Sequence, residues 1–436
     1  MRRDVLMLQG PIGPFFKRFA GGLEARGFRV WKVNLNGGDR LFYRGERTID
    51  YGGRLEHWEQ HLERLVVNRE IGRIYLFGDC RAYHRIAREV AQRHGIRLFV
   101  FEEGYVRPNF ITLEEHGVNG NSSMMDRPVR LDGTDGEPAF EHAQPGHVFL
   151  VTAAYSMAYY WAAALWKNRF PHYRHHRPFE WLPEGLRWLR SGLRKRRYAR
   201  RERRVLAQLL PEFEGNYFVC PLQVHCDMQV VVHSGFNSIE HFVGEVLSSF
   251  AMHAAPNKAL VFKHHPLDRG YTDYTSLFAN LLAEFGLTDR VFYVHDLDLP
   301  TLLRHAEGTV LINSTVGIQA LYHGSPVRTL GRAIYDLPGL TSQQPLDAFW
   351  NQAEPVCQRT FMTFRTNLVR RNQLNGNLYR RTKGGDGAGL VWSRQMLLEH
   401  TFDASHPDVS PIPRLSVVKG GVEGNEWRND GGAKAA

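Results

Sequence analysis

A chain of 436 residues exceeds the size at which one hydrophobic core keeps growing, so two domains are the expectation. Hydrophobic residues at 43% and aromatics at 12% exclude a disordered or fibrous main body. The net charge of +10 is concentrated: residues 187–204, RWLRSGLRKRRYARRERR, hold ten Arg and Lys and one Glu. The cysteines Cys80, Cys220, Cys226 and Cys357 form no CxxC pair and no zinc or disulfide spacing, which fits a reducing cytoplasm.

The N-terminus, MRRDVLMLQGPIGPFF, starts basic, but Gln9, Gly10 and Pro11 interrupt its apolar run, so it reads as a strand and loop rather than a secretory signal. DVLMLQG predicts a strand, FFKRFAGGLEARG a helix ending at Gly27, and FRVWKVNLN a second strand. RIYLFGD (73–79) and RLFVFEEG (97–104) repeat the pattern around the helical CRAYHRIAREVAQRHG. This rhythm of strand, helix and strand is that of a parallel sheet with crossover helices. VFLVTAAYSMAYYWAAALW (148–166) is almost free of charge and precedes the arginine block. Either the pair is a buried helix and a solvated linker helix, or the apolar segment lies in a membrane interface with Tyr155, Tyr159, Tyr160, Trp161 and Trp166 at headgroup level. No nucleic-acid-binding signature accompanies the block, so nucleic acid is not expected as a partner.

A second series of strands follows: NYFVCPLQ (216–223), KALVFKHHP (258–266), VFYVHD (291–296), GTVLINS (308–314) and PVRTLG (326–331). Helical stretches separate them, among them SIEHFVGEVLSSFAMHA and YTSLFANLLAEFG. The expectation is an α/β fold of two Rossmann-type domains facing a central cleft, the first over 1–205 with the apolar and basic segment, the second over 206–350. Residues 351–402 are expected to be helical and to pack back on both domains. The Gly-, Pro- and Ser-rich stretch 403–436 cannot bury enough apolar area to offset its ordering entropy.

In open α/β sheets ligands bind beyond the carboxyl ends of the strands, and the unusual polar clusters of this chain fall there. Gly10 and Gly13 allow close backbone approach in LQGPIGPFF; neither GxGxxG nor GxxxxGK[ST] is present. Asn36, Gly37, Gly38 and Asp39 make a polar turn after the second strand. Glu102 and Glu103 leave an apolar strand before Gly104 and Arg107; one carboxyl raised by burial suits general acid or base work, and an ion pair with Arg107 is the structural alternative. Gln223 and Asp227 follow the first strand of the second series, where a carboxylate can act as nucleophile or base. Lys263 and His265 of KHHP, with Asn313, Ser314 and Gly317 of NSTVG at a helix start, can bind one phosphate without metal. His264 and His265 are adjacent, so in a strand they point to opposite faces and would not both ligate one ion. Asp296 and Asp298 look like the carboxylate pair of metal-dependent glycosyltransferases, but Asp298 reads better as the cap of LPTLLRHA.

LQGPIGPFF, NLNGGDRLFY, FEEGYVRPNFITLE, QVHCDMQV, KHHP and NSTVGIQALYHGSPV, in this order over most of residues 4–330, resemble the KpsS/LipB family of bacterial capsular polysaccharide proteins. The resemblance implies a GT-B-like glycosyltransferase, cytoplasmic and peripheral at the inner membrane. It further implies transfer of the first β-Kdo, an acid sugar, from CMP-β-Kdo to a phosphatidylglycerol-type lipid, with no cofactor and no metal. The implied partners are a companion KpsC-type transferase and the capsule export machinery. Related Kdo-transferase modules retain anomeric configuration through a covalent sugar-aspartate intermediate. By motif this makes Asp227 the nucleophile, Glu102 the acid/base, and Lys263, His265 and Ser314 the CMP contacts. The related modules carry Glu-Asp-Gly where this chain has Glu102-Glu103-Gly104, so both carboxyls stay candidates, and Asn313 stands where Thr or Ser is commoner. Gly10, Gly13, Asn36, Gly38, Asp39 and Arg107 are placed on the acceptor side. A GT-B-fold sugar-nucleotide epimerase and a non-catalytic export or scaffold protein are the alternatives.

Overall fold

The computed structural model describes residues 2–132, 148–175 and 181–402; the stretch 403–436, expected not to fold, lies outside them. Among the described residues twelve strands build two sheets: β1 Asp4–Met7, β2 Arg29–Asn34, β3 Thr48–Asp50, β4 Ile71–Phe77, β5 Arg97–Glu103, β6 Phe110–Glu115, β7 Tyr217–Pro221, β8 Ala259–Lys263, β9 Val291–Val294, β10 Gly308–Leu311, β11 Val327–Thr329 and β12 Gln373–Asn375. The first sheet runs β12-β6-β5-β4-β1-β2-β3 and the second β11-β10-β7-β8-β9. Within each, five parallel strands have the doubly wound order, so a switch point opens between β1 and β4 and another between β7 and β10. This is the GT-B-like α/β architecture, and every strand expected from the sequence is present.

Parallel strands buried on both faces read as continuous apolar runs, and β7, β8 and β10 are buried along their whole length. The helix Phe15–Ala25 shows the complementary rule. Phe15, Phe19 and Leu23 recur at a spacing of four, are buried, and face the first sheet, while Lys17 and Glu24 point away. Phe101 receives Phe15 and Phe19 edge-on at 5.3 and 4.8 Å, contacts that add about 1 kcal/mol each beyond the area they bury. Gly27, at φ +89, turns the chain into β2.

Three strands had no sequence signal. β3 and β12 are three residues long, and β6 is antiparallel to β5, where a crossover rhythm implies parallel pairing. β12 shows how the chain closes. After the helix Gln358–Asn372 it returns to the first sheet and pairs antiparallel with β6. The following residues dock there too: Arg26 pairs with Asp386, and Tyr75 bonds the His400 ring at 2.6 Å.

Two helices join the sheets, and each is fastened to a different one. The helix Phe149–Leu165 lies on the short helix Gly37–Phe42, where the sequence suggested only a turn. Glycine makes the approach possible: a Cβ on Gly37 would fall 2.2 Å from the Ala162 carbonyl oxygen, and one on Gly38 2.4 Å from the Tyr159 ring. The long basic helix Trp181–Phe213 lies instead on the second sheet. Its anchor is Glu202, the one acid of the arginine block, which accepts from the backbone N–H groups of His295 and Asp296, both at 2.7 Å. Tyr198 stacks on His295 at 3.7 Å, and Arg194 reaches Asp273 and the Arg269 carbonyl. Among the described residues no helix is long and apolar enough to cross a membrane.

Candidate active site

At the first switch point β4 ends in Gly78, Asp79 and Cys80, and β5 ends in Glu102 and Glu103. Gly78, at φ +69, turns the chain beside Glu102, whose Oε2 would be in ordinary contact, 3.6 Å, with a Cβ at that position. Glu102 is only partly exposed, and its Oε1 accepts from the Glu103 N–H at 3.0 Å. Burial pushes its carboxyl up to about 7; the Glu103 and Asp79 charges push the same way, against the N–H bond and the Arg81 guanidinium. Asp79 is buried and committed, accepting from Val118 N at 3.2 Å and Asn121 Nδ2 at 3.0 Å. Tyr379, from the returning C-terminal segment, lies in electrostatic reach of both Glu103 and Glu102. Burial raises two carboxyls to about 7, Glu102 at the strand end and Glu114 on β6, and Glu114 is already bonded by the Tyr105 and Ser122 hydroxyls.

Arg107 does not pair with either carboxylate. Its Nε donates to the Gly104 carbonyl at 3.3 Å, its side chain is exposed, and it makes no ion pair among the described residues. Its field reaches His265 on the opposite domain.

At the second switch point Gln223 follows β7 and Asn313 follows β10, and the two meet. The Gln223 amide donates to Asn313 Oδ1 at 3.1 Å and to Asp227 Oδ2 at 2.9 Å. Asp227 is partly exposed and also caps the helix Met228–His233 through Gln229 N at 2.9 Å, so its carboxylate is held from two sides. Buried Asp268 accepts from His225 N at 3.1 Å and binds the His225 ring, which ties the loop after β7 to the loop after β8.

The KHHP stretch divides its labour. Lys263 is 6% exposed; its ammonium donates to the His295 carbonyl at 2.8 Å, and burial lowers its pKa to about 8. His264 is buried against Tyr293, 2.7 Å from its hydroxyl, and burial draws it down to about 4. His265 is partly exposed, and its Nδ1 accepts from Leu267 N at 3.2 Å. In the neutral ring the proton then sits on Nε2, which leaves a donor free for the cleft. Burial lowers its pKa, while the Asp268 and Asp227 charges oppose that. Ser314 Oγ accepts from Val316 N at 3.3 Å, and Gly317 makes room for Tyr335, whose ring a Cβ would meet at 2.4 Å. Asp298 caps its helix through Thr301 N at 2.9 Å, and Asp296 pairs with Arg269 at 2.8 Å, so both carboxylates of that stretch are committed.

The structure thus brings Gln223, Asp227 and Asn313 into one network, with His265 and Arg107 in electrostatic reach. The carboxyl ends of the two sheets face each other, since Gln229 Nε2 approaches Cys80 Sγ at 3.6 Å. The acceptor-side residues form a separate group. Gly10, Gly13, Gly38 and Asp39 line a small cleft under Tyr159. Asn36 and Asp39 are buried, Asn36 donating to the Tyr159 hydroxyl at 2.7 Å and Asp39 accepting from Leu35 N at 3.0 Å.

Residues at the site that sequence reasoning passed over are Gln9, Asp79, Arg81, His225, Asp268 and Tyr379. Arg81 donates to Gln9 Oε1 at 2.8 Å and lies between the small cleft and Glu102. For Asp79 a signal existed, because it stands at a strand end like Glu102. For Tyr379 none did, since only the C-terminal return carries it to β5.

Residues 73–379 match the family model described as capsule polysaccharide biosynthesis protein. Over 379 residues the chain is 39% identical to the capsule polysaccharide export protein KpsS of Escherichia coli, covering 86% of this chain and 97% of that protein. It is 37% identical over 392 residues to the capsule polysaccharide modification protein LipB of Neisseria meningitidis serogroup A, covering 86% and 91%. Among solved structures, the β-Kdo 2,7 transferase of Thermosulfurimonas dismutans KpsC aligns over 91% of this chain and 98% of its own, with 14% identity and a TM-score of 0.44.

Proposed function

Because this chain belongs to the capsule polysaccharide biosynthesis protein family, we propose that it is a retaining glycosyltransferase that moves β-Kdo from CMP-β-Kdo to a phosphatidylglycerol-type lipid. The observation that carries this reading is a pair of carboxyl groups on the two facing domains: Glu102, raised by burial to about 7, and Asp227, held in place by Gln223.

In the first step an Asp227 oxygen attacks the anomeric carbon of the sugar and the bond to CMP breaks, the phosphate oxygen leaving with the electron pair. CMP needs no proton to leave, and one phosphate asks for few positive charges. His265 Nε2 and the Ser314 hydroxyl serve as its donors, with buried Lys263 as a fixed charge behind them and Asn313 completing the site. In the second step the acceptor hydroxyl attacks the same carbon, displaces Asp227 with restored configuration, and passes its proton to Glu102. Glu102 must then be ionised when the acceptor arrives, which a carboxyl near 7 is for about half the molecules at neutral pH.

The joining helices suit a lipid acceptor. Leu150, Met157, Trp161 and Leu165 are exposed along one side of the helix Phe149–Leu165, Trp161 by 72%. The arginine block lies on the adjoining segment, and this combination fits an anionic membrane surface. Incubation with CMP-Kdo, generated in situ, and a fluorescent phosphatidylglycerol analogue is expected to give a product heavier by one Kdo. No mass gain with intact donor remaining would refute the reading in favour of the export role in the KpsS name.

A further inference from the structure

The helix Met228–His233, capped by Asp227, follows β7 of the second sheet and touches the first domain near both of its ends. It is fixed to its own side by the Asn313 amide, which donates to the Gln229 carbonyl at 2.9 Å, and by Arg332 N, which donates to the His233 carbonyl at 2.9 Å. On the other side Gln229 Nε2 approaches Cys80 Sγ, one residue beyond Asp79. At the last residue of the helix the His233 ring, 4% exposed, lies on the backbone of Gly120 in the short turn Asn119–Asn121.

Gly120 is not glycine for the sake of its own backbone. Its φ lies outside the left-handed region, which Asn119 beside it occupies at φ +54. What leaves no room for a side chain is His233: a Cβ on Gly120 would fall 2.3 Å from the ring Cγ, 2.4 Å from Nδ1 and 2.8 Å from the His233 Cβ. Rotating the ring would not clear the last of these, so helix and turn would have to part. The turn is tied in its own right to the acidic end of the first sheet. Asp79 accepts from Val118 N and Asn121 Nδ2, and the Tyr105 hydroxyl accepts from Asn119 N at 2.6 Å while donating to Glu114 at 2.7 Å. The Asp79 charge acts on Glu102 on one side and on the His233 ring on the other. Gln229 Oε1 and His233 Nε2 are buried without a partner among the described residues. Both would gain hydrogen bonds in water, so the contact is one that the domains can leave as well as enter.

We propose that His233 and Gly120 are positioning residues, whose contact sets the register of the two domains and so holds Glu102 in reach of a sugar carried on Asp227. The inference rests on the transferase reading of the site, and it adds how the two halves are aligned for the second step. The first step does not need the contact, because Asp227, Gln223, Asn313 and His265 all stand on the second domain.

The test uses the full chain with CMP-Kdo, generated in situ, and a fluorescent phosphatidylglycerol analogue. Gly120→Ala is expected to lose at least tenfold in transfer to the acceptor, with CMP affinity within twofold of wild type and no less Kdo-bearing protein by intact mass. His233→Ala inserts nothing; it is expected to lose a few-fold in the same step, and it reports even if Gly120→Ala fails to fold. The double variant Gly120→Ala/His233→Gly removes the clashing atoms and is expected to recover most of the loss. Wild-type transfer in either single variant, no recovery in the double variant, or a fall in CMP affinity and Kdo-bearing protein in step with transfer overturns the assignment. Without substrate, amide hydrogen exchange at residues 117–122 is expected to be faster in Gly120→Ala and to slow again in the double variant, and unchanged exchange also overturns it. If wild type transfers Kdo and the variants match it, the inference fails while the proposed function stands. If wild type transfers no sugar but exchange follows the expected pattern, the domain contact stands and the transferase reading falls.

Discussion

At the first switch point the carboxyls of Glu102, Glu103 and Asp79 crowd together beside Arg81, whereas at the second Gln223, Asp227 and Asn313 are bonded to one another. Glu102 sits between the Glu103 and Asp79 charges and has a single backbone donor. Asp227 is fixed by a side-chain amide and a helix-end N–H. The difference matches two chemical demands. A group that must take and give up a proton near neutrality needs an environment that barely tolerates its charge. A group that must attack carbon from a fixed direction needs its charge accepted and its rotamer held.

The largest expected effect tests the second half. Asp227→Asn keeps an oxygen for the cap to Gln229 N, loses the bond from the Gln223 amide and removes the nucleophile. Sugar transfer is expected to fall by roughly 10⁴-fold, with stability lower by about 1 kcal/mol. Retained turnover would reduce Asp227 to a capping residue, worth about 1 kcal/mol.

Next comes Glu102→Gln, expected to cost about 10² to 10⁴ in turnover. In the wild type the rate of the acceptor step should rise with pH through about 7, because the base must lose its proton first. That limb should vanish in Glu102→Gln and survive in Glu103→Gln. The opposite pattern in a pH series of the two variants would transfer the proton work to Glu103.

A smaller effect separates the CMP contacts. His265→Ala is expected to weaken CMP binding about tenfold, or 1.4 kcal/mol. Lys263→Met should weaken it less, since its ammonium is already bonded to the His295 carbonyl. Titration of CMP into both variants decides the order, and a larger loss in Lys263→Met would mean that the lysine swings into the cleft.

The smallest effect is on stability, and here the sign distinguishes the two halves. The folded-state pKa of Glu102 is raised, so the folded protein holds a proton that the unfolded chain gives up. Stability is therefore lost as pH rises from the ordinary carboxylate range through about 7. Glu102→Gln should accordingly be more stable than wild type at pH 8, by about 1 to 2 kcal/mol after allowance for its partial exposure. Denaturant melts at pH 5 and pH 8 measure this, and equal curves at pH 8 would show that the carboxyl is not strained.

Much of this was legible in the chain. Apolar runs ending in polar clusters placed all the long parallel strands, because burial on both faces leaves a local signature. The same runs put Glu102, Asp227, Asn313 and His265 at strand ends, and alternation separates His264 from His265, while packing against Tyr293 shows which of the two is buried. Asn36, Gly37, Gly38 and Asp39 were legible as a unit but not in purpose. They admit the helix Phe149–Leu165 at close range, a reason that depends on a segment more than a hundred residues away.

Sequence by itself determined the two doubly wound sheets, their switch points and the residue types gathered at them, since strand burial and helix period are written in local pattern. Only the tertiary structure decided which carboxyls burial raises and which acid anchors the basic helix. Burial raises Glu102, and the charge of Asp79, more than twenty residues away in the chain, adds to the effect. Glu202 is one acid among ten basic residues until its carboxylate meets the backbone N–H groups after β9. A pKa and an ion pair are properties of surroundings, and these surroundings are assembled from chain segments far apart in sequence.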